Sequence, residues 1–174
     1  QHMVAAAGRR DGRTASQEAV AIALLEQAAN GVTLNAGQAA LVAGMATSGA
    51  RLQLAIAPAG TGKTTAMRAL AAAWDADGGT VIGLAPSAAA AAVLREQLSA
   101  GTDTLAKLVW SIARHDLPDW AKNIGPRTLV VVDEAGMADT LSLAAAVDFV
   151  IARGGYVRLI GDDQQLAAIG AGGV

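Results

Sequence analysis

The chain has 174 residues, of which 53% are hydrophobic and 16% charged, so it is long and apolar enough for one domain with a full-sized core, and a disordered protein is excluded. It contains no cysteine, which excludes disulfides and thiolate metal sites and fits a reducing, cytoplasmic compartment. Its formal net charge of −2 gives no overall attraction to nucleic acid. Glycine, proline or charge interrupts every apolar run before the roughly 18 residues of a bilayer span, so no membrane contact is expected.

The first 15 residues are predicted to lie outside the folded domain. The first three are typical of a cloning remnant, and residues 4–15 carry three arginines without helical or strand periodicity. We expect a mobile arm here, whose arginines are either solvated or in contact with a nucleic-acid backbone. The folded domain is therefore predicted over residues 16–174.

Apolar runs that alternate with helical patterns predict an α/β fold. Two helices come first, from about Ser16 to Asn30 and from about Asn35 to Ser48, with apolar residues at helical spacing. Strands are then predicted over residues 52–57, 80–85, 128–132 and 156–160. Because polarity does not alternate along these runs, we expect strands buried on both faces, as in a parallel sheet with right-handed crossovers.

The remaining segments connect the strands. Helices are predicted over residues 65–74, 87–98, 104–114 and 140–153, and residues 116–120 are predicted as a loop or as a short turn pinned by Trp120. In parallel sheets ligands bind at the carboxyl ends of the strands. Polar side chains that directly follow the strands are therefore expected to gather at one edge.

The stretch after the first strand has the pattern of a phosphate-binding loop, Ala57-Pro58-Ala59-Gly60-Thr61-Gly62-Lys63-Thr64-Thr65. Glycines let successive backbone N–H groups turn toward one anion, and the start of the following helix adds partial positive charge. Lys63 can reach the β- and γ-phosphates, and the Thr64 hydroxyl can bind Mg²⁺. Ala57 occupies the position of the first glycine of the motif. An alanine there restricts the backbone dihedral angles but does not rule out the loop. The alternative is a chance Gly-Lys-Thr in a turn.

An acidic pair, Asp133-Glu134, follows the third predicted strand. In P-loop NTPases the first carboxylate after such a strand holds Mg²⁺, and a second can accept a proton from the attacking water. Two adjacent acids at the mouth of an apolar strand are costly to place without a cation. The alternative is a solvated strand end. Asp139 and Asp148 are interpreted as capping or surface residues.

The fourth strand leads into Gly161-Asp162-Asp163-Gln164-Gln165-Leu166. A polar amide here, on a strand beside the one that ends at Asp133, is placed to contact the γ-phosphate or the lytic water. It would then report which nucleotide is bound. Taken alone, the same hexapeptide is a turn.

Together these three motifs resemble motifs I, II and III of superfamily 1 helicases of the RecD-like, 5′→3′ branch. Two segments are similar to the helicase part of conjugative relaxases of the TraI/TrwC (MobF) type: Asp133-Glu134-Ala135-Gly136-Met137 and Leu34-Asn35-Ala36-Gly37-Gln38. The resemblance covers about residues 16–174 and implies a RecA-like ATPase domain with a parallel sheet flanked by helices.

The resemblance also implies roles for single residues. It assigns adenine recognition to Gln38, contact with the phosphates to Ala59, Gly60, Thr61, Gly62, Lys63, Thr64 and Thr65, metal binding to Thr64 and Asp133, catalysis to Lys63, Glu134 and Gln165, and contact with single-stranded DNA to Ser87 and Thr104. For Gln38 the alternative is an exposed helix residue. For Ser87 it is a simple N-cap, which can coexist with a phosphate contact.

The resemblance further implies ATP and Mg²⁺ as cofactors and single-stranded DNA as the partner. Family helicases need a second RecA-like domain with an arginine that completes the ATP site, and such relaxases carry a relaxase domain, so both are expected elsewhere in a longer chain. Two alternatives stay open: a P-loop NTPase or kinase that does not act on DNA, and a non-catalytic nucleotide-binding fragment.

Overall fold

The computed structural model describes residues 17–29, 36–56, 63–98 and 101–161, which form a five-stranded sheet with helices on both faces. The strands are β1 Leu52–Ile56, β2 Thr80–Ala85, β3 Thr102–Thr104, β4 Thr128–Val132 and β5 Tyr156–Gly161. The helices are α1 Gln17–Ala29, α2 Ala36–Thr47, α3 Lys63–Ala76, α4 Ala88–Gln97, α5 Leu105–Ala113, α6 Asp119–Lys122 and α7 Thr140–Ala152. A single 3₁₀ turn, Ala135–Met137, follows β4.

The strand order is β1-β5-β4-β2-β3, and every neighbouring pair is parallel. The predicted α/β class with a parallel sheet is therefore confirmed. The order also confirms that the strand leading into Gly161 lies beside the strand that ends before Asp133. The carboxyl ends of β4, β5 and β2 consequently meet at one edge.

The core has two layers because successive side chains of a strand point to opposite faces. Along β4, Leu129 and Val131 pack against α1, α2, α3 and α4, whereas Val130 and Val132 pack against α5, α6 and α7. All five residues of β4 are buried. Each fully buried aliphatic side chain contributes about 1.5–3 kcal/mol, so the central strands anchor the fold.

The prediction that all the strands are buried on both faces is wrong for β1. In the described part of the chain β1 is an edge strand, and its Leu54 and Ile56 side chains are 46% and 50% exposed. The pattern of polar and apolar residues could not show this difference, because an apolar edge strand and an apolar central strand have the same pattern.

Two short elements were not resolved by the sequence patterns. β3 is a three-residue polar strand beside β2 that the sequence patterns did not predict. Its last residue, Thr104, was predicted as the start of the following helix, which begins at Leu105. Residues 116–120 were predicted as a loop or as a short turn, and the structure has a loop over residues 116–118 followed by the four-residue helix α6 from Asp119. The Trp120 side chain is partly buried against the core.

The Arg158 residue, in the middle of β5, is completely buried, and its hydrogen bonds to other described residues all go to backbone carbonyls. Its Nε lies 3.1 Å from the Met45 carbonyl, Nη1 lies 2.9 Å from that of Ala50, and Nη2 lies 3.2 Å from that of Ser48. Nη1 also donates to its own neighbour Val157, at 3.0 Å. Burial lowers the pKa of Arg158 to about 10, so the group stays charged at neutral pH. Arg158 thus satisfies carbonyls at the end of α2 and fixes that end on β5.

Candidate nucleotide-binding site

Lys63 and Asp133 meet at the carboxyl edge of the sheet. Lys63 is the first residue of α3, and Asp133 follows the last residue of β4. The Lys63 Nζ lies 2.8 Å from the Asp133 Oδ1, and the two side chains are 31% and 12% exposed. The structure therefore brings together the lysine and the carboxylate that the motifs single out, in a partly buried ion pair.

The Asp133 carboxylate is held by backbone as well as by Lys63. Its Oδ1 accepts a hydrogen bond of 2.9 Å from the Glu134 backbone N–H. Its own backbone N–H donates to the Leu84 carbonyl of β2, 2.9 Å away, which continues the sheet by one residue. A carboxylate this buried needs a cation, and in this arrangement the Lys63 ammonium is that cation.

Glu134 has a left-handed backbone conformation, with φ 50° and ψ 43°. For a residue with a Cβ this conformation costs about 1–2 kcal/mol, and such strain is concentrated at functional sites. The Glu134 carbonyl accepts a hydrogen bond of 3.0 Å from the Met137 N–H, which closes the 3₁₀ turn. The chain thus leaves the sheet sharply just after Asp133, and the strain falls on the residue predicted as the catalytic base.

Ser87 and Thr104 lie at the same edge, on the side of β2 and β3. In the register of these two strands, Ala85 pairs with Thr104. The Ser87 Oγ accepts a hydrogen bond of 3.1 Å from the Ala90 N–H, and the Thr104 Oγ1 accepts one of 3.1 Å from the Lys107 N–H. The N-cap interpretation of Ser87 is confirmed, and Thr104 caps α5 in the same way. Each hydroxyl keeps its proton to donate to another acceptor.

Gln38 lies near the start of α2 and is half-buried. The opposite end of α2 is fixed by Arg158 close to the start of β1, and α2 packs along α3 in the same core layer. The role of Gln38 in adenine recognition stays a prediction.

Several predicted site residues lie outside the described residues, namely Ala59, Gly60, Thr61, Gly62 and Gln165, as do residues 1–15. For Thr64 the structure describes the helical backbone but not the side chain, and Thr65 is half-buried in the first turn of α3. Whether these residues suit Mg²⁺ is judged from the type of oxygen ligand that each side chain offers. Mg²⁺ in such sites takes one or two carboxylates, with the remaining ligands from phosphate and water, and Asp133 with the Thr64 hydroxyl supplies a suitable set.

Sequence reasoning missed two features that bear on this site. It did not predict that Lys63 would pair directly with Asp133, because the motif analysis assigned each to a different bound partner. It also overlooked Arg158, although a single arginine within Tyr156-Val157-Arg158-Leu159-Ile160 was the available signal. A charge inside a buried strand requires a partner.

The parallel sheet, with Lys63 at a helix start facing Asp133 at a strand end, defines a P-loop domain. A family model described as AAA domain matches residues 33–174, and the chain belongs to this family. It is a nucleotide-binding, helicase-like domain.

Three curated relatives each match more than two thirds of the chain. The chain is 36% identical over 125 residues to the conjugal transfer protein TraA of Rhizobium radiobacter, 36% over 124 residues to the probable conjugal transfer protein TraA of Sinorhizobium fredii, and 35% over 125 residues to TraA of Agrobacterium fabrum. These matches cover 70–71% of this chain but only 11% of each relative. They confirm the predicted resemblance to a helicase-like P-loop domain of conjugative relaxase type. No described helix has both the length and the apolarity for crossing a bilayer.

Proposed function

We propose that this chain is the ATP-binding motor domain of a DNA helicase, part of a conjugative relaxase-helicase, which couples ATP hydrolysis to movement on single-stranded DNA. The observation that carries the proposal is the Lys63–Asp133 pair at the carboxyl edge of a parallel sheet. Because the chain spans 11% of the length of its relatives, the activity of a whole protein belongs to the proposal as well.

The roles follow from the chemistry of each group. Lys63 binds the β- and γ-phosphates of the nucleotide. Its ammonium group leaves the Asp133 carboxylate to make this contact. Asp133 and the Thr64 hydroxyl would hold a Mg²⁺ ion that accompanies the nucleotide, so the buried carboxylate would keep a cationic partner. When bound, Mg²⁺ supplies charge neutralisation between the β- and γ-phosphates.

Hydrolysis requires a base beside the γ-phosphate rather than on the metal. Glu134 takes this role, accepting the proton of the attacking water. Gln165 contacts the γ-phosphate from the segment that follows β5, and Gln38 recognises the adenine edge. Residues 59–62 and Thr65 complete the phosphate cradle with backbone N–H groups.

The proposed DNA contact uses the neighbouring strand ends. The Ser87 and Thr104 hydroxyls, each already capping a helix, donate to phosphate oxygens of single-stranded DNA. The carboxyl ends of β2 and β4 are adjacent in the sheet. This adjacency supports coupling, because a change at Asp133 is one strand away from the DNA contact.

An arginine from a second RecA-like domain is part of the proposal. Such arginines contribute about 10³–10⁵ in rate where measured. We therefore expect the 174 residues by themselves to bind nucleotide weakly and to hydrolyse it slowly. ATP turnover by this chain alone at ordinary helicase rates would contradict the expectation.

The test is ATP hydrolysis by a longer protein that contains this domain, measured with and without single-stranded DNA. We expect single-stranded DNA to stimulate hydrolysis. Lys63→Ala should abolish hydrolysis because nucleotide no longer binds, whereas Glu134→Gln should abolish hydrolysis but retain nucleotide binding. Lys122→Ala is the matched control, since this lysine is 62% exposed on α6. Calorimetric titration with a non-hydrolysable ATP analogue and Mg²⁺ separates the alternatives: no binding indicates a non-catalytic module, and hydrolysis indifferent to DNA indicates another P-loop enzyme.

A further inference from the structure

The outward face of α5 carries an exposed tryptophan between two cations. Lys107, Trp110 and Arg114 are spaced by three and four residues, so they lie on one side of the helix. All three are exposed, and the Trp110 side chain is 49% accessible. The opposite side of α5 packs on the core through Leu105 and Leu108. We call the three residues the α5 stripe.

Both cations of the α5 stripe are organised around the indole. The Lys107 Nζ and the Arg114 Cζ each lie 4.8 Å from the centre of the Trp110 ring. Neither cation forms an ion pair with a carboxylate in the described ranges of the chain. Of the acidic neighbours, Asp103 accepts a hydrogen bond of 2.7 Å from the Thr104 N–H at the helix cap.

This combination suits one class of partner. A flat, exposed aromatic ring stacks with a base, and unpaired cations beside it attract phosphate, which is how single strands are bound without sequence preference. An acidic peptide would use the two cations but would gain little from an exposed indole. Since the whole chain has a formal net charge of −2, the attraction must come from a local surface such as this one.

The position of the α5 stripe connects it to the edge of the sheet. Thr104 caps α5 at the end of β3, and the backbone N–H that it caps is that of Lys107, the first residue of the stripe. Arg114 lies seven residues further along the helix, which is about 10 Å at the helical rise. The stripe therefore continues away from the strand ends that carry Ser87 and Thr104.

We propose that Lys107, Trp110 and Arg114 form a binding surface for single-stranded DNA that extends the strand's path from Ser87 and Thr104 along α5. This inference rests on the proposed function and adds to it a stacking platform with two phosphate contacts. A base stacks on the Trp110 indole in place of one of the cations, and both cations turn to the flanking phosphates.

The test is binding of a fluorescently labelled oligo(dT) to the chain, followed by anisotropy over a series of salt concentrations. We expect Trp110→Ala to weaken binding about tenfold, the usual effect of losing one base–aromatic stack. Removing both cations, Lys107→Ala with Arg114→Ala, should lower the slope of log affinity against log salt by about 1.4, given about 0.7 for each phosphate of a single strand. Leu141→Ala, at a side chain 85% exposed on α7, is the control.

Tryptophan fluorescence gives a second measurement that does not depend on the alanine variant. Trp74 is buried at 1% exposure and Trp120 is partly buried, so quenching by DNA should come from Trp110. Trp110→Phe should keep most of the affinity, because phenylalanine also stacks, and should lose the quenching.

Unchanged affinity in Trp110→Ala, or quenching that survives in Trp110→Phe, overturns the inference. A competition with polyglutamate gives a third criterion. If polyglutamate displaces the labelled oligo(dT) as effectively as unlabelled oligo(dT) does, the inference is overturned in favour of an acidic protein partner. The proposed function fails separately, when ATP hydrolysis by the longer protein does not respond to DNA. A normal DNA response of the Trp110→Ala variant would refute the stripe alone.

Discussion

The Lys63 ammonium and the Asp133 carboxylate are 70 residues apart in sequence and 2.8 Å apart in space. This contact ties the start of α3 to the end of β4. The pair neutralises a carboxylate that is 12% exposed. On the proposed function, nucleotide binding replaces this interaction, which sets part of the free-energy cost of binding.

Separating the pair should destabilise the domain. Lys63→Ala leaves Asp133 buried without its cation, and we expect the free energy of unfolding to fall by about 1–3 kcal/mol. Lys63→Ala combined with Asp133→Asn should recover part of this loss, because no buried charge remains. Urea denaturation of the two single variants and the double variant measures the coupling. Strictly additive losses would show that the pair contributes nothing to stability.

Glu134 offers a separation of stability from catalysis. Glu134→Gly relieves the left-handed strain at φ 50°, whereas Glu134→Ala removes the same carboxylate and keeps the strain. We expect the glycine variant to be about 1 kcal/mol more stable than the alanine variant, and both to be inactive in the longer protein. Thermal melting and single-turnover hydrolysis are the measurements. Equal stability of the two variants would mean that the turn relaxes around alanine.

The ends of α5 and α7 allow a matched comparison of one motif with two different residues. Both helices close with the same pair of hydrogen bonds: His115 and Asp116 donate to Ile112 and Ser111 in α5, as Gly154 and Gly155 donate to Ile151 and Val150 in α7. The left-handed position is His115, with φ 53°, in the first case and Gly154, with φ 85°, in the second.

Substitutions at these two positions are expected to change the stability in opposite directions. His115→Gly should raise the free energy of unfolding by about 1 kcal/mol, because glycine adopts the left-handed conformation without strain. Gly154→Ala should lower it, since the added Cβ is both strained and 3.2 Å from the Pro126 Cγ. Melting temperatures of the two variants check the signs, and a destabilised His115→Gly would refute the reasoning.

Arg158 is expected to be the most sensitive polar position in the core. Arg158→Met leaves the carbonyls of Met45, Ser48 and Ala50 without their donor, so we expect a loss of about 2–4 kcal/mol. Arg51→Met is the control, because Arg51 also donates to a backbone carbonyl, that of Gly154, but is only half-buried. The comparison requires denaturant unfolding of both variants at one pH, and equal losses would contradict the special role of Arg158.

The same residue gives a pH dependence with a defined sign. Burial lowers the pKa of Arg158 from its ordinary value to about 10, so below about pH 9 the folded and unfolded states carry the same proton. Above about pH 10 the unfolded state still binds the proton that the folded state has released, so stability increases with pH until the unfolded state also loses it. The difference in unfolding free energy between the wild type and Arg158→Met should thus be constant from pH 6 to about pH 9 and should grow above about pH 10. A difference that shrinks above that point would contradict the assignment.

The sequence predicted the parts of the fold that long apolar runs encode. β2, β4 and β5 were found within one residue of their bounds, because each is a buried run ended by glycine, proline or charge. Asp139 was interpreted as a capping or surface residue, and it caps α7 by accepting a hydrogen bond of 2.8 Å from the Ser142 N–H. Local chemistry of this kind is readable because cause and effect lie within four residues.

What the sequence could not give depends on contacts between distant segments. β3 is strand only because β2 offers it a partner, and its residues Thr102-Asp103-Thr104 have no strand pattern of their own. The exposure of Leu54 depends on the rank of β1 in the sheet, which local polarity does not encode. For the site, the motifs supplied Lys63 and Asp133 but not their direct pairing, because the motifs assign the lysine to phosphate and the carboxylate to Mg²⁺.

The outer side of β1 has a practical consequence for work on this domain. Among the residues that the structure describes, β1 is the last strand on its side of the sheet and exposes Leu54 and Ile56, so its outer edge is a template for the same edge of another copy. Concentrated preparations of the domain should therefore aggregate by edge-to-edge association. Replacing Ile56 by lysine, a gatekeeper that natural edge strands use, should restore solubility without touching the core.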